Sequence, residues 1–175
     1  VAYHPADMSK PADIRDLVAS AQKKLGGVDI LVNNAGIQFV APVEQFPDDK
    51  WDAIIAINLT SAFHATKAAL PGMRARKWGR IIQISSINGQ KGQYGQANYA
   101  AAKAGMHGFT ISLAQENAKF GITVNTVSPG YIGTDMVMAV PEEVRNKIVA
   151  QIPTGRLGEP DEIAYAVSFF IPDEA

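Results

Sequence analysis

The sequence predicts an α/β fold in which helices cover both faces of a parallel sheet, giving three layers. Short apolar segments typical of strands alternate with longer segments that repeat apolar residues at helical spacing. Strands separated by helices pair in parallel through right-handed crossovers. The 175 residues are 47% hydrophobic, which is enough for one domain with a substantial core.

The first predicted helix runs from about Pro11 to Leu25, after the apolar segment VAYHP, which we interpret as the end of a strand. Ser9 is the predicted N-cap, and proline is tolerated in the first turn of a helix. Two glycines follow Leu25 and end this helix. The next segment, VDILVNN, is a short continuous apolar run, typical of a strand buried on both faces.

The remaining elements continue the alternation. They are, in order, a long helix over DDKWDAIIAINLTSAFHATKAALPGM, the strand RIIQIS, the helix ANYAAAKAGMHGFTISLAQENAKF, the strand ITVNTVS, and two shorter helices near Glu142–Gln151 and Asp161–Ile171. We find no internal repeat, linker or low-complexity stretch, so the sequence predicts one domain over residues 1–175.

Composition excludes several classes of function. The formal net charge is −1 without a basic run, which argues against nucleic acid or an anionic membrane as a partner. There is no cysteine and the three histidines have no ligand spacing, so disulfides, cysteine nucleophiles and a metal site are not expected. No apolar run approaches the roughly 20 residues of a membrane span, and no signal segment is visible. The expected location is the cytoplasm.

Three side chains predict proton-transfer chemistry. Ser86 lies 13 residues before Tyr99, and Lys103 follows that tyrosine by four residues, which is one helical turn. An ammonium beside a phenol stabilises the phenolate, so Lys103 is expected to lower the pKa of Tyr99 from about 10. A tyrosine tuned in this way exchanges a proton with a carbonyl oxygen or an alcohol.

Polar and glycine-rich segments follow the ends of three predicted strands. These segments are Asn33-Asn34-Ala35-Gly36, Ser85-Ser86 and Ser128-Pro129-Gly130. Because the carboxyl ends of parallel strands meet at one edge of a sheet, we expect the three segments to form a single site.

Four features follow one another along the chain: the motif NNAG, Asn58 in INLT, the spacing of Ser86, Tyr99 and Lys103, and Pro129-Gly130. Together and in this order they resemble the short-chain dehydrogenase/reductase family. The resemblance runs through essentially the whole chain. It implies a Rossmann-type doubly wound sheet, an NAD(P)-dependent oxidoreductase and a homotetrameric assembly. It also implies that Tyr99 is the general acid/base and that Lys103 contacts the nicotinamide ribose. Ser86 would hold the substrate oxygen, and Asn58 would support a proton-relay water.

The same resemblance implies a set of cofactor contacts. Besides Tyr99 and Lys103, the matching residues are Asp7 near the adenine, then Asn34, Ala35 and Gly36, and finally Pro129, Gly130, Ile132 and Thr134. The expected cofactor is NADP(H), with NAD(H) as the alternative. A purely structural role for Asp7 is the alternative, since acidic residues are also favoured where a chain approaches a helix N-terminus.

The sequence departs from the family pattern in three places. It has no TGxxxGIG-like phosphate loop, no charged residue after a second strand to select the cofactor, and no VDGG-like end. We therefore expect a partial domain, truncated at both ends, that begins near the family's third strand. Alone it is expected to bind no dinucleotide, to be inactive and to fold poorly, because one edge of VDILVNN would lack a neighbour.

Two branches of the family differ in substrate. From Gly79 onward the chain resembles reductases of acetoacetyl-CoA, whereas its earlier part resembles dehydrogenases of free 3-hydroxybutyrate. The predicted substrate-binding residues carry no charge; they are Gln38, Asn88, Gln93, Tyr94, Gln96 and Tyr131. A buried carboxylate needs a cation, so these residues favour the thioester and the product (R)-3-hydroxybutyryl-CoA.

Other functions remain open at this stage. Lys91 would let the site hold the free acid instead of the thioester, and 3-oxoacyl-carrier-protein is another thioester alternative. The non-enzyme alternatives are a silent dinucleotide-binding protein and a truncated, non-functional product.

Overall fold

The computed structural model describes residues 1–174, which form two compact units. The first unit is Val1–Ser128 and the second begins at Pro129. Each is described by itself below.

The first unit is built on a parallel sheet of three strands. The strands are β1 (Ile30–Asn33), β2 (Gly79–Ile84) and β3 (Ile122–Val127), and they lie side by side in that order. In the register, Leu31 pairs with Ile81, and Ile81 pairs with Val124. The predicted open parallel sheet with flanking helices is confirmed.

Five α-helices belong to this unit among the described residues. They are α1 (Pro11–Leu25), α2 (Asp48–Ile55), α3 (Ser61–Arg76), α4 (Asn88–Lys91) and α5 (Ala97–Asn117). A single π-helical turn, Ala56–Thr60, joins α2 to α3, so the long helix predicted from the sequence is continuous but changes its pitch at Asn58. The short helix α4 and the 3₁₀ turn Val43–Gln45 were not predicted. The last three residues of the helix predicted over ANYAAAKAGMHGFTISLAQENAKF form a 3₁₀ turn, Ala118–Phe120, instead of a further α-helical turn.

The main hydrophobic cluster of the first unit lies on one face of the sheet, although Ile82 and Ile84 on the opposite face of β2 are buried as well. Alternate strand residues point to one face, so Ile81, Ile122 and Val124 lie together there against α1, α3 and α5. Small residues on α3 let the helices approach closely. The buried helix residues in this cluster are Ile14, Val18, Ala65, Ala69, Met73 and Leu113.

Two expectations for the start of the chain are wrong. Residues 1–7 form no strand, because no strand lies alongside VAYHP within residues 1–174. Ser9 is not the N-cap of α1; that position is Lys10, which has an extended backbone. The Ser9 hydroxyl instead donates to Asp7 Oδ1 at 2.7 Å. Helix α1 nevertheless has the predicted bounds, with proline in its first turn and Gly26 in the left-handed conformation at its end.

The expectation that β1 is buried on both faces is also wrong. Ile30 and Val32 are 41% and 40% exposed. Only β2 pairs with β1 in the described residues, so the other edge of β1 is open, as expected. A groove of about 530 Å³ follows this edge and is lined mainly by apolar side chains of α1, β1 and α3.

The second unit carries three helices, α6 (Asp135–Met138), α7 (Glu142–Val149) and α8 (Pro160–Phe169). The last two match the predicted helices to within two residues. Ile132 forms an isolated parallel bridge with Gly158. Arg156 donates to both carboxylate oxygens of Glu162 at 2.9 and 2.7 Å, which fixes the turn before α8.

The helical stretch Asp48–Arg76 is 29 residues long and apolar enough, by length and composition, to cross a membrane. The core helices of globular proteins meet the same criterion. In this structure the inner face of the stretch supplies Ile54, Ala65, Ala69 and Met73 to the buried interior.

Candidate active site

The first part of the site is the end of β2. Ser86 is 8% exposed, and its Oγ accepts a hydrogen bond from the Asn88 main-chain N–H at 3.1 Å. This bond occupies one acceptor position of the hydroxyl and leaves its proton free to turn elsewhere. The Tyr99 phenol lies close enough to Ser86 for the serine side chain to lower its pKa. The end of β2 therefore places a serine hydroxyl beside the tyrosine.

Helix α5 supplies Tyr99 and Lys103, one turn apart. The Lys103 Nζ lies 5.7 Å from the centre of the Tyr99 ring and donates to the Ile84 carbonyl oxygen at 2.7 Å. Lys103 is 4% exposed, although it carries an ammonium group. The end of β2 and the first turns of α5 thus bring Ser86, Tyr99 and Lys103 together.

The expected effect of Lys103 on the tyrosine is not what the structure shows. Burial raises the pKa of Tyr99 above its usual value, and the hydrogen bond with Ser86 opposes that rise. Burial also lowers the pKa of Lys103 to about 8. The physical reason is that both groups are removed from water, which disfavours phenolate and ammonium alike.

Asn58 lies in the π-helical turn and is 1% exposed. Its side-chain oxygen accepts from the Ile37 N–H and its amide donates to the Ile37 carbonyl, both at 2.9 Å. The side chain therefore holds the main chain next to Gly36. Helical irregularities of this kind occur frequently at functional sites.

Gly36 lies beside Lys103 and leaves room for a ligand against the main chain. A Cβ built at Gly36 would lie 3.6 Å from Lys103 Nζ and 3.7 Å from Asn58 Oδ1. With no side chain there, a ribose or amide group can approach both the main chain and the ammonium. Asn34 and Ala35 directly follow β1 and line the groove along its edge. The Lys103 ammonium and the main chain at Gly36 are the groups that would hold the ribose of a nicotinamide nucleotide.

Three amide side chains form a hydrogen-bonded chain next to Ser86. Asn88 donates to Gln96 at 3.0 Å, and Gln96 donates to Gln38 at 3.1 Å. Asn88 and Gln96 are 7% and 8% exposed, and Asn88 Oδ1 is buried without a partner among the described residues. Three of the predicted substrate-binding residues therefore do meet.

The other predicted residues lie elsewhere. Asp7 is at the surface, where Ser9 and Lys10 lower its pKa to about 2, so its observed contacts are those of a helix approach. Gln93 and Tyr94 are exposed, on the loop between α4 and α5. The remaining predicted residues belong to the second unit, where Ile132 bridges to Gly158 and Thr134 precedes α6; they are Pro129, Gly130, Tyr131, Ile132 and Thr134.

The sequence places Ser85 in a segment expected at the site but predicts no role for it. Ser85 is 3% exposed and its Oγ donates to the Lys103 carbonyl oxygen at 2.7 Å. The only available signal was its place beside Ser86 at the end of a strand.

Parallel strands with a serine, a tyrosine and a lysine grouped at their carboxyl ends define an α/β oxidoreductase. The chain belongs to the short chain dehydrogenase family, whose model matches residues 1–145.

Curated relatives cover the chain along its full length. An acetoacetyl-CoA reductase of Shinella zoogloeoides is 54% identical over 100% of this chain and 73% of its own length. A D-beta-hydroxybutyrate dehydrogenase of Cupriavidus necator is 46% identical over 100% of this chain and 72% of its own. A 3-oxoacyl-[acyl-carrier-protein] reductase of Vibrio cholerae is 48% identical over 97% and 69%.

Proposed function

We propose that this chain carries the catalytic region of an NADPH-dependent reductase that converts acetoacetyl-CoA to (R)-3-hydroxybutyryl-CoA. Support comes from the relatives named acetoacetyl-CoA reductase, four of which are 49–54% identical to this chain. When bound, the nicotinamide supplies the hydride to the 3-keto carbon. The stereochemistry follows the resemblance to that branch of the family.

The observation that carries the choice of substrate is the neutral amide chain. Gln38, Gln96 and Asn88 bond to one another, and Asn88 also contacts Ser86. A carboxylate placed among them would be buried without a cation, at a cost of several kcal/mol. A thioester carbonyl needs only neutral donors. The amides therefore favour acetoacetyl-CoA over acetoacetate.

The state of Tyr99 supports the reductive direction. Burial raises its pKa, so the phenol keeps its proton at neutral pH and is ready to donate it to the alkoxide oxygen. Ser86, fixed by the Asn88 N–H, would steady the same oxygen. Lys103 would hold the nicotinamide ribose beside Gly36. Asn58, whose side chain bonds to the Ile37 main chain, would support a proton-relay water.

The remaining contacts and the setting are part of the same proposal. NADPH is preferred over NADH, the enzyme is a cytoplasmic homotetramer, and the chain forms one partial domain. Its cofactor contacts add Asp7, Asn34 and Ala35 to those named above. Its second unit adds Pro129, Gly130, Ile132 and Thr134 for the cofactor and Tyr131 for the substrate.

The test uses the longest reading frame that carries this sequence. Oxidation of NADPH and of NADH is followed with acetoacetyl-CoA, acetoacetate and an acetoacetyl-carrier protein at equal concentration. A preference for acetoacetyl-CoA with NADPH supports the proposal. A preference for acetoacetate would overturn it and make Lys91 the first residue to examine as the carboxylate partner. A preference for acetoacetyl-carrier protein would identify that thioester, and not acetoacetyl-CoA, as the substrate.

A further inference from the structure

We propose that Ser85 is a positioning residue that sets the place of Tyr99 relative to Ser86 by holding the helix turn at Lys103. The inference rests on the proposed function of Tyr99 as the proton donor. Ser85 itself touches neither substrate nor cofactor; it acts through the main chain of α5.

Ser85 joins three elements of the first unit. Its N–H donates to the Val127 carbonyl of β3 at 2.8 Å, so its main chain extends the sheet. Its hydroxyl donates to the Lys103 carbonyl at 2.7 Å and is buried. A buried hydroxyl bonded to a helix carbonyl fixes the distance between strand and helix, because losing the bond leaves an unsatisfied polar group.

Two neighbours of Ser85 contact the same turn of α5. The Lys103 ammonium bonds to the Ile84 carbonyl at 2.7 Å. On the other side, Gly89 in α4 lies so close that a Cβ there would be 2.7 Å from the Lys103 carbonyl carbon. The segment from Ile84 to Gly89 therefore holds Lys103 through its ammonium, its carbonyl and its main chain.

The two adjacent serines have different partners. Ser86 lies beside the phenol and lowers its pKa, whereas Ser85 bonds to the helix one turn after that phenol. A shift of α5 along β2 would change the distance from Tyr99 to Ser86 directly. Misplacing a reacting group by about 1 Å can cost on the order of 10²-fold in rate. The Ser85 hydroxyl is an uncharged group that holds Lys103. Replacing Ser85 by alanine removes this contact without adding volume to the buried site.

The test compares Ser85→Ala with wild type in the full reading frame, with acetoacetyl-CoA and NADPH. The expected result is a fall in kcat of about tenfold with KM for acetoacetyl-CoA within about twofold, since the amide side chains proposed to bind that substrate are untouched. The isotope effect on kcat with NADPH deuterated at the transferred position should rise, because chemistry becomes slower than product release. Ser85→Thr, which keeps the hydroxyl, should restore kcat and the isotope effect.

Thr110→Val is the matched control. Thr110 is 8% exposed on the same helix, and its hydroxyl pairs with that of Thr126 in β3 at 2.7 Å, about two turns from Lys103. This variant should lose stability but keep the wild-type kcat and isotope effect. Equal behaviour of Ser85→Ala and Thr110→Val would overturn the inference.

A second readout needs no turnover. With 3-fluorotyrosine incorporated, the fluorine resonance assigned by Tyr99→Phe should shift in Ser85→Ala and stay in place in Thr110→Val. An unmoved resonance overturns the role of Ser85. Lack of acetoacetyl-CoA reduction by wild type, with the resonance moved, would instead reject the proposed function alone.

Discussion

The Lys103 ammonium lies 5.7 Å from the centre of the Tyr99 ring, but its hydrogen bond goes to the carbonyl oxygen of Ile84. The sequence predicts that the Lys103 ammonium stabilises the Tyr99 phenolate. In the structure its hydrogen bond goes to the main chain at the end of β2 instead. Since both side chains are withdrawn from water, the tyrosine stays protonated and the lysine loses its proton more easily.

Replacing Tyr99 by Phe should abolish turnover while cofactor affinity changes little. Removing a positioned proton donor typically costs about 10²–10⁴-fold in rate, and we expect a loss of that order. The measurement is kcat/KM with acetoacetyl-CoA beside the NADPH dissociation constant from fluorescence. Unchanged turnover in this variant would favour another proton donor. A wild type that binds NADPH and turns over no ketone would indicate a silent dinucleotide-binding protein.

The burial of Lys103 should cost stability at neutral pH. Its pKa is about 8 in the folded state, against an ordinary value of 10.5, so the unfolded chain binds more protons between these values. Stability from this group therefore rises as pH increases from 8 towards 10.5. Lys103→Met should be more stable than wild type at pH 7 by about 1–2 kcal/mol, after allowing for the lost bond to Ile84.

Urea unfolding of both proteins at pH 7 and pH 9.5 checks this prediction. The advantage of Lys103→Met should shrink at the higher pH, where the wild-type lysine no longer carries its full charge. An advantage that is equal at both pH values, or absent at pH 7, would show that the ammonium is better solvated than the structure indicates.

Gly89→Ala should damage both stability and activity. The added Cβ would lie 2.7 Å from the Lys103 carbonyl carbon and 2.8 Å from the Ala104 nitrogen, which are main-chain atoms that cannot turn aside. Overpacking of this kind typically costs about 1–3 kcal/mol. Gly108→Ala, on the exposed side of α5, is the control, because no atom outside its own helix backbone lies within 4 Å of its Cβ. It should stabilise by up to about 1 kcal/mol and leave kcat unchanged.

Gln96→Lys should move the preference towards acetoacetate. The new ammonium would replace the amide between Asn88 and Gln38 and give a carboxylate the cation that it lacks. We expect the ratio of kcat/KM for acetoacetate to that for acetoacetyl-CoA to rise by at least about tenfold, equivalent to about 1.4 kcal/mol. Gln93→Lys, on the exposed loop, is the control and should leave the ratio within about twofold.

The open edge of β1 should make the isolated 175-residue chain prone to aggregation. Ile30 and Val32 present apolar side chains beside unpaired main-chain groups, and charged residues on an edge oppose strand addition. Ile30→Lys should increase the monomeric fraction in light scattering. Leu25→Lys, an exposed change on α1, should have a smaller effect. A cooperative, reversible transition of the unmodified monomer would contradict the expectation that the chain folds poorly.

Local chemistry explains which parts of the fold could be predicted. Helix α1 has its predicted bounds because Pro11 suits the first turn and Gly26 adopts φ 84° at the end. The strand at Ile30 was also predicted, but its exposure was not, since burial depends on which strand lies alongside. The strand expected at VAYHP does not form for the same reason, because strand formation there also depends on a strand alongside.

In the site, too, some features could be predicted from the sequence and others could not. Spacing alone places Tyr99 and Lys103 on one face of α5, because four residues make about one turn. The direction of the pKa shift of Tyr99 depends on how deeply the surrounding elements bury it, which no spacing encodes. Likewise, two adjacent serines do not reveal that Ser86 lies beside the phenol whereas Ser85 bonds to α5.

The amide chain of Asn88, Gln96 and Gln38 has a direction, because Asn88 donates to Gln96 and Gln96 in turn donates to Gln38. Turning one member over would oppose donor to donor or acceptor to acceptor, so the three can reverse only in concert. Whether Gln38 presents a donor or an acceptor to a ligand therefore depends on the orientation of Asn88. A ligand that offers an acceptor at one end of the chain fixes the orientation of the amide at the other end. Three neutral side chains thus transmit a hydrogen-bonding preference without any charge.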